Sequence, residues 1–238
     1  MWNGKMKALT FSYDDGNLDD VRLVGLFNKY GMKATFNLNS GSLCSSHHWE
    51  YQTGETVKVV RHLCASQIGD LYNGHEIACH TLSHPDLTKL SDEEIYNQLW
   101  VDKKYLKTLF GVEPDGMAYP FGTFNDKCVE ILKKLGFIYA RTCFHSYGFD
   151  MPKEPLTLAA TCHHSEPTMF ELIDKFVNMT PDKPQMFYIW GHSYEFVTED
   201  DWARFEEILS RLSGHKDIYY ATNHDVISEY AASEYAQK

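Results

Sequence analysis

The stretch ALTFSYDDG, residues 8–16, joins a run of apolar and β-prone residues to two adjacent carboxylates and a glycine. Residues 8–13 predict a buried strand that ends at Asp14 and Asp15. Neighbouring side chains on a strand point to opposite faces, and like charges side by side repel each other. A turn before Gly16 explains one aspartate, but it leaves the second without a role.

Strand-like and helix-like segments alternate along the rest of the chain. The pattern predicts further strands at 33–38, 75–80, 117–119, 137–142, 156–161, 186–191 and 218–222. It predicts helices at 18–30, 55–72, 91–110, 126–135, 168–179, 200–213 and 225–235. The short connections indicate parallel strands covered by helices. We therefore expect one α/β domain over residues 1–238, a distorted (β/α) barrel of seven or eight units.

Composition limits the class of protein. The 238 residues are 43% hydrophobic, which suits a single domain with a sizeable core. The net charge is −11, and no basic stripe is present, so we expect neither a nucleic-acid nor an anionic-membrane partner. No apolar run is long enough to span a bilayer, and no glycine-rich phosphate-binding loop follows a predicted strand.

The amino-terminal sequence MWNGKMKALTF lacks the apolar region and the cleavage site of a signal peptide. We therefore expect a cytoplasmic location. The six cysteines are widely spread and include no C-x-x-C pair, which fits that location, although their even number leaves disulfides open. The sequence indicates no oligomeric state.

Polar residues follow several predicted strands directly. In a parallel α/β barrel the functional side chains lie at the carboxyl ends of the strands. Five such segments are Asp14–Gly16, His80–His84, Tyr119–Gly122, Cys162–His164 and Gly191–Glu195. They predict a ring of carboxylates and imidazoles at one end of the barrel.

His80 and His84 are four residues apart. If the chain turns helically after its strand, both imidazoles lie on one face. Two histidines and one carboxylate form a three-ligand set with open positions, which is typical of a catalytic metal site. One aspartate of the Asp14–Asp15 pair can then bind the metal while the other faces the water beside it. The alternative is a pair of unrelated surface histidines.

These segments resemble the motifs of the polysaccharide deacetylases (NodB homology domain, carbohydrate esterase family 4). The matching stretches are Phe11-Ser-Tyr-Asp-Asp-Gly16, Asn73-Gly-His-Glu-Ile77, His80-Thr-Leu-Ser-His84 and Trp190-Gly-His192. The resemblance extends from residue 8 to about 230. It implies the family's distorted barrel and a metal-dependent hydrolase that removes N-acetyl groups from an N-acetylated sugar or polysaccharide.

The resemblance also implies roles for single residues. Asp15, His80 and His84 would bind one divalent metal ion. We expect Zn²⁺, with Co²⁺, Ni²⁺, Mn²⁺ or Fe²⁺ as alternatives. Asp14 would be the general base and His192 the general acid.

Three aromatic residues would line the oxyanion and acetyl pocket: Phe121, with its backbone N–H as an oxyanion donor, Tyr119 and Trp190. The rival for the acid is His224 in Thr222-Asn-His-Asp225. We favour His192, because Asp225 is a reasonable N-cap for the last helix.

The sequence departs from the family pattern at two places. Many members carry an arginine that orients the base, and Ala118 stands at that position in Ala118-Tyr-Pro-Phe-Gly122. The family's acid followed by tryptophan is replaced by Cys162-His-His-Ser-Glu166. Glu195, His163 and His164 are the candidates for tuning His192.

Two other functions remain open at the level of sequence. The chain could hydrolyse another C–N bond in a small molecule, or it could be a carbohydrate-binding protein with a decayed site. The polar segment 39–53, with His47, His48, Trp49 and Tyr51, is either a substrate loop or a surface loop with a partly buried Trp49. We expect structural or surface roles for His62, His75, His145 and His215.

Overall fold

The computed structural model describes residues 1–43 and 48–233. Its strands are β1 Lys7–Asp14, β2 Thr35–Leu38, β3 His48–Thr53, β4 Thr56–Arg61, β5 Glu76–Cys79, β6 Gly116–Ala118, β7 Tyr139–His145, β8 Leu158–Ala160, β9 Cys162–His163, β10 Gln185–Gly191 and β11 Ile218–Tyr220. Its helices are α1 Asp20–Lys29, α2 Ala65–Ile68, α3 Asp92–Phe110, α4 Asp126–Lys134, α5 Met169–Asn178, α6 Glu199–Leu212 and α7 Asn223–Ala231. Short 3₁₀ turns separate several of them.

Within the described residues, nine strands form one parallel sheet in the order β8-β7-β6-β5-β2-β1-β10-β9, and β11 pairs with β1. All eight residues of β1 are buried, because this strand lies between β2 and β10. The predicted parallel α/β architecture is confirmed. Since every strand of the sheet runs the same way, the carboxyl ends of β1, β5 and β10 lie at one end of the domain.

The two edges of the sheet come together at one irregular segment. Strand β8 pairs with β7, and β9, which begins two residues later, pairs with β10. Thr161 separates the two strands, and its N–H donates to the carbonyl of Tyr188 at 2.8 Å. The ladder is therefore not continuous around the ring, and the domain is a distorted barrel, as predicted.

Helix α3 illustrates how local sequence sets an element. Ser91 and Glu94 form the predicted capping box, in which each side chain bonds the backbone N–H of the other residue. Leu99 and Leu106 are fully buried against the sheet. The helix ends at Gly111, whose φ of +76° is a left-handed conformation that favours glycine.

The prediction of a helix over residues 55–72 is wrong. Residues 48–61 form the antiparallel hairpin β3–β4, and only the single turn α2 is helical. The sequence Thr56-Val-Lys-Val-Val-Arg61 is rich in β-branched residues, which favour a strand, and Gly54 (φ +56°) forms the turn. The predicted polar loop at 39–53 thus contains a strand.

No helix within the described part of the chain is long and apolar enough to cross a membrane. Among the described residues, Cys79, Cys128, Cys143 and Cys162 are free thiols. Cys44 and His47 lie outside the described residues.

Candidate active site

Asp14 and Asp15 have different surroundings, although they are adjacent. Asp14 is the last residue of β1 and is buried. Asp15 has left-handed backbone torsions (φ +78°), and its N–H donates to the carbonyl of Asn37 at 3.0 Å. A non-glycine residue in this conformation costs about 1–3 kcal/mol and is common at functional sites. The change in backbone torsions turns the Asp15 carboxylate towards the histidines that follow β5.

His80 directly follows β5 and is buried. Its Nδ1 lies 2.8 Å from the carbonyl oxygen of Ala118, so Nδ1 carries the proton and Nε2 is free to bind a metal. The sequence suggested a helical turn after His80. The turn is not helical, because Thr81 (φ +69°) and His84 (φ +57°) are both left-handed. This turn still brings the two imidazoles together, with ring centroids 4.8 Å apart.

Asp15, His80 and His84 form a candidate metal centre. Oδ1 of Asp15 lies 3.6 Å from Nε2 of His80 and 3.8 Å from Nε2 of His84. Metal–ligand bonds of about 2.0–2.2 Å would place ligand atoms within about 4 Å of each other, so these residues fit a divalent ion. Burial and the neighbouring His80 lower the pKa of His84, which favours the neutral form that binds metals.

Arg141 from β7 holds the carboxylate of Asp14. Its guanidinium group contacts Oδ2 of Asp14, and Asn37 Nδ2 donates to Oδ1 at 2.8 Å. Both Arg141 and Asp14 are buried. Burial opposes the charged form of Asp14, but Arg141, together with His80 and His192, outweighs it and lowers the pKa of this carboxyl below its usual value. Asp14 is therefore ionised and fixed.

The sequence did not reveal this arginine. It lies 127 residues from Asp14, in the predicted strand 137–142, where nothing local indicates its partner. The one available signal was an arginine among the apolar residues Phe137-Ile-Tyr-Ala of a buried strand, since a buried charge requires a counterion. Ala118, at the family's arginine position, is fully buried and supplies only its carbonyl oxygen to His80.

His192 lies directly after β10 and faces two carboxylates. Its Nε2 is 3.8 Å from Oδ2 of Asp14, and its Nδ1 is 3.3 Å from Oε2 of Glu195. Burial opposes protonation, but Glu195 and then Asp14 outweigh it and raise the pKa of His192 to about 9. The imidazole is thus protonated at neutral pH and can donate a proton.

Glu195 is shared between several groups. Its Oε2 accepts from the backbone N–H of His192 and from Nε2 of His163, both at 2.9 Å. Burial opposes ionisation, yet the imidazoles of His163 and His192 hold the pKa of Glu195 well below its usual range. Nε2 of His164 lies 3.5 Å from the same oxygen. Of the three tuning residues suggested by the sequence, Glu195 contacts His192 directly, and His163 and His164 contact Glu195.

The predicted pocket residues occupy different positions. Phe121 is 63% exposed, has left-handed torsions (φ +58°), and its ring centroid lies 4.6 Å from that of His84. Trp190 stacks on the guanidinium of Arg141, at 4.3 Å. Tyr119 instead packs in the core, where its hydroxyl donates to the carbonyl of Leu156. Its side chain therefore lies in the core, and Phe121 and Trp190 border the site.

The hairpin β3–β4 brings aromatic side chains to the rim of the site. Trp49 and Tyr51 are half-buried and pack against Tyr194, with ring centroids 5.5 and 5.1 Å away. Tyr194 in turn stacks on His192, at 4.9 Å. Nδ1 of His62, expected to be structural, lies 3.1 Å from the backbone oxygen of Asp15.

His224 lies at the opposite end of the sheet from His192. It follows the N-cap of α7, which is Thr222 and not Asp225 as predicted. Its Nδ1 is 2.8 Å from Asp115, the residue before β6. Because it lies at the other end of the sheet, His224 cannot act with Asp14.

Comparisons with known proteins agree with this geometry. The sequence profile of the family described as polysaccharide deacetylase matches residues 3–140. Peptidoglycan-N-acetylglucosamine deacetylase PgdA of Listeria monocytogenes is 28% identical over 126 residues, which are 52% of this chain and 23% of that protein. Chitin deacetylase 1 of Cryptococcus neoformans is 39% identical over 64 residues, which are 27% of this chain and 14% of that protein.

The matched segments span 43% or less of the length of the first curated relatives. Among solved structures, the chitin deacetylase of Colletotrichum lindemuthianum superimposes with a TM-score of 0.59 at 17% identity. That likeness covers 94% of this chain and 88% of the other, and at this identity it shows the shared fold.

Proposed function

We propose that this chain, which belongs to the polysaccharide deacetylase family, is a metal-dependent hydrolase that removes acetyl groups from an N-acetylated sugar or polysaccharide. One observation carries the proposal. Two carboxylates and three imidazoles converge from the ends of three different strands, and Nε2 of each imidazole lies within 4.0 Å of an oxygen of at least one carboxylate. The paired acids differ in surroundings in the way that a metal ligand and a general base require.

Asp15, His80 and His84 would hold a divalent ion. When bound, such an ion supplies a Lewis acid that can lower the pKa of water to roughly 7 and stabilise negative charge on oxygen. Two nitrogens and one oxygen suit Zn²⁺ and also Co²⁺, Ni²⁺, Mn²⁺ or Fe²⁺. The other steps depend on groups that belong to the chain itself.

Asp14 acts as the general base that accepts a proton from the attacking water. A base must be ionised and correctly oriented, and Arg141 meets both requirements through its contact with Oδ2. Asn37 fixes the other carboxylate oxygen. In this chain Arg141 takes over the task that the family gives to an arginine at the position of Ala118.

His192 acts as the general acid that donates a proton from Nε2 to the leaving nitrogen. An amine leaves poorly as an anion, so this step needs an acid, and a positioned one contributes about 10²–10⁴-fold. Glu195 keeps His192 protonated and fixes its ring through Nδ1. Phe121 and Trp190 would border the acetyl group, and the backbone N–H of Phe121 would donate to the developing oxyanion.

Acetate release tests this proposal. Purified protein is loaded with zinc, and excess zinc is removed. The protein is then incubated with N-acetylglucosamine and its oligomers, and the released acetate is quantified enzymatically. We expect release that depends on Asp14. Bound metal without acetate release would favour hydrolysis of another C–N bond. No stoichiometric metal and no turnover would favour a carbohydrate-binding protein with a decayed site.

A further inference from the structure

A second set of metal-ligating side chains lies behind His192. Nε2 of His163 is 2.9 Å and Nε2 of His164 is 3.5 Å from Oε2 of Glu195. The three ligand atoms all lie within 4.8 Å of one another, as in the first set. The distance from His164 is longer than an ordinary hydrogen bond, and catalysis as proposed above makes no use of this imidazole.

The other ring nitrogens of these histidines have the partners that metal-binding imidazoles usually have. Nδ1 of His164 lies 3.2 Å from the hydroxyl of Tyr13, and Nδ1 of His163 lies 2.7 Å from Oγ of Ser165. The backbone N–H of Ser165 also approaches Nδ1 of His163, at 3.2 Å. For Nε2 of His163 to bind a metal, its proton must move to Nδ1, which then donates to Oγ of Ser165. The contact between Nδ1 and the backbone N–H of Ser165 must then lengthen.

His164 is prepared for this role by its surroundings. It is 4% exposed, and its backbone carbonyl accepts from Arg204 at 2.8 Å, which fixes its position. A buried imidazole that is held in place and faces a carboxylate is positioned to bind a metal.

An ion can reach these residues from solvent. A cleft of about 370 Å³ is lined by His163, His164 and Glu195, together with Tyr51 and Arg204 among others. The described residues that line it include no member of the first metal set. Nδ1 of His192 lies 3.3 Å from Oε2 of Glu195, the oxygen that such an ion would bind.

We propose that His163, His164 and Glu195 form a second, inhibitory site for a divalent cation of the zinc class. Two imidazoles and one carboxylate with room for water match the donors and geometry that Zn²⁺ accepts. An ion there withdraws Oε2 of Glu195 from His192, so the proposed acid loses the group that orients it. Binding at this site is independent of the proposed function, whereas inhibition rests on it.

Metal stoichiometry tests the site itself. Protein is dialysed against micromolar zinc and its metal content is measured. We expect two zinc ions per chain in the wild type and one in His163→Ala and in His163→Gln, where glutamine preserves bulk. His84→Ala should also retain one, and the matched control His215→Ala should retain two. One zinc in the wild type, or two in both His163 variants, overturns the proposal.

Zinc inhibition tests the consequence of occupancy. The rate of acetate release is measured for each variant at increasing zinc concentration, starting from one equivalent per chain. Each rate is divided by the rate of the same variant at one equivalent. We expect half-inhibition of His163→Gln to need at least about tenfold more zinc than the wild type. Equal sensitivity overturns the inhibitory role. If no variant releases acetate, the proposed function fails, and the stoichiometry still decides whether the second site exists.

Discussion

At the scale of single residues, Asp14 and Asp15 resolve the problem of two adjacent acids by a change in backbone torsions. Asp14 keeps strand geometry and stays buried against Arg141, while Asp15 is left-handed and faces His80 and His84. The sequence predicted that the two acids differ in role. It could not predict Arg141, because its contact with Asp14 is made by the fold alone.

Arg141→Met tests how Asp14 is held. Methionine fills the space but leaves a buried carboxylate without its counterion, which costs about 3–5 kcal/mol if the charge persists. The pKa of Asp14 should therefore rise, and the acidic limb of the pH–rate profile should move to higher pH. Misplacement of the base should lower kcat by roughly 10²-fold.

For Arg141→Met, kcat/KM is measured as a function of pH. The metal content is measured as well and should equal that of the wild type. Arg22→Met, which removes an exposed arginine paired with Glu199, is the matched control and should behave as the wild type. An acidic limb at the wild-type position in Arg141→Met would contradict the role of this arginine.

Glu195→Gln tests the tuning of His192. In the wild type the pKa of His192 is raised to about 9, so the protonated acid is present below that pH and lost above it. Glutamine removes the negative charge while burial remains, so the basic limb of the pH–rate profile should move about one pH unit or more to lower pH. Glu199→Gln, at an exposed glutamate, is the control. Identical basic limbs in wild type and Glu195→Gln would refute the assignment.

At the scale of elements, the sequence predicted correctly those helices and strands whose signals lie in neighbouring residues. Capping residues and alternating segments placed α3 and the central strands correctly, because these signals are local. Strand β4 was mistaken for part of a helix and β3 for a loop, since the six residues of mixed polarity in β4, followed by a short helical turn, fit either period. The non-helical turn between His80 and His84 depends on left-handed torsions that no local residue type required.

Helix α7 offers a test of linkage between pH and stability. The hydrogen bond to Asp115 raises the pKa of His224 to about 9, and burial only partly opposes it. The folded-state pKa thus exceeds the unfolded value of 6.5, so the stabilisation is complete below about pH 6.5 and disappears as pH rises through 9.

His224→Gln should lower the free energy of unfolding at pH 6 by at most about 1 kcal/mol, because the side chain is 44% exposed and the pair is screened. At pH 10 wild type and variant should be equally stable. Urea unfolding at both pH values measures this, and Asp115→Asn should show the same pattern. An equal loss at both pH values would argue against an ionic contribution.

At the scale of the whole molecule, a parallel sheet gathers side chains that are far apart in sequence. The ends of β1, β5 and β10 contribute Asp14, His80 and His192 to one end of the barrel, as the pattern of strand-terminal polar residues predicted. The distorted barrel and the family were also correctly predicted. The sequence lacks the family's arginine at Ala118. Only the order of the strands shows that β7, beside β6, supplies an arginine to Asp14.

Metal binding should be visible in global stability. A ligand that binds only the folded state stabilises it by RT ln(1 + [L]/Kd), about 2.7 kcal/mol at a hundredfold excess over Kd. For a domain of this size that is roughly 5–10 °C in Tm. Thermal unfolding with zinc and with EDTA should show this difference in the wild type and in His215→Ala. His84→Ala should lose the larger part of this difference in Tm. A full difference in that variant would mean that the stabilising ion is not bound by His84.

The most direct test of the division of labour between the two aspartates is a joint measurement on Asp14→Asn and Asp15→Asn. Zinc content at the first site and acetate release from an N-acetylated sugar oligomer are determined on the same preparations. Asp14→Asn should keep its zinc and lose at least about 10²-fold in turnover. Asp15→Asn should lose both zinc and turnover. Near-normal acetate release by zinc-loaded Asp14→Asn would contradict the account.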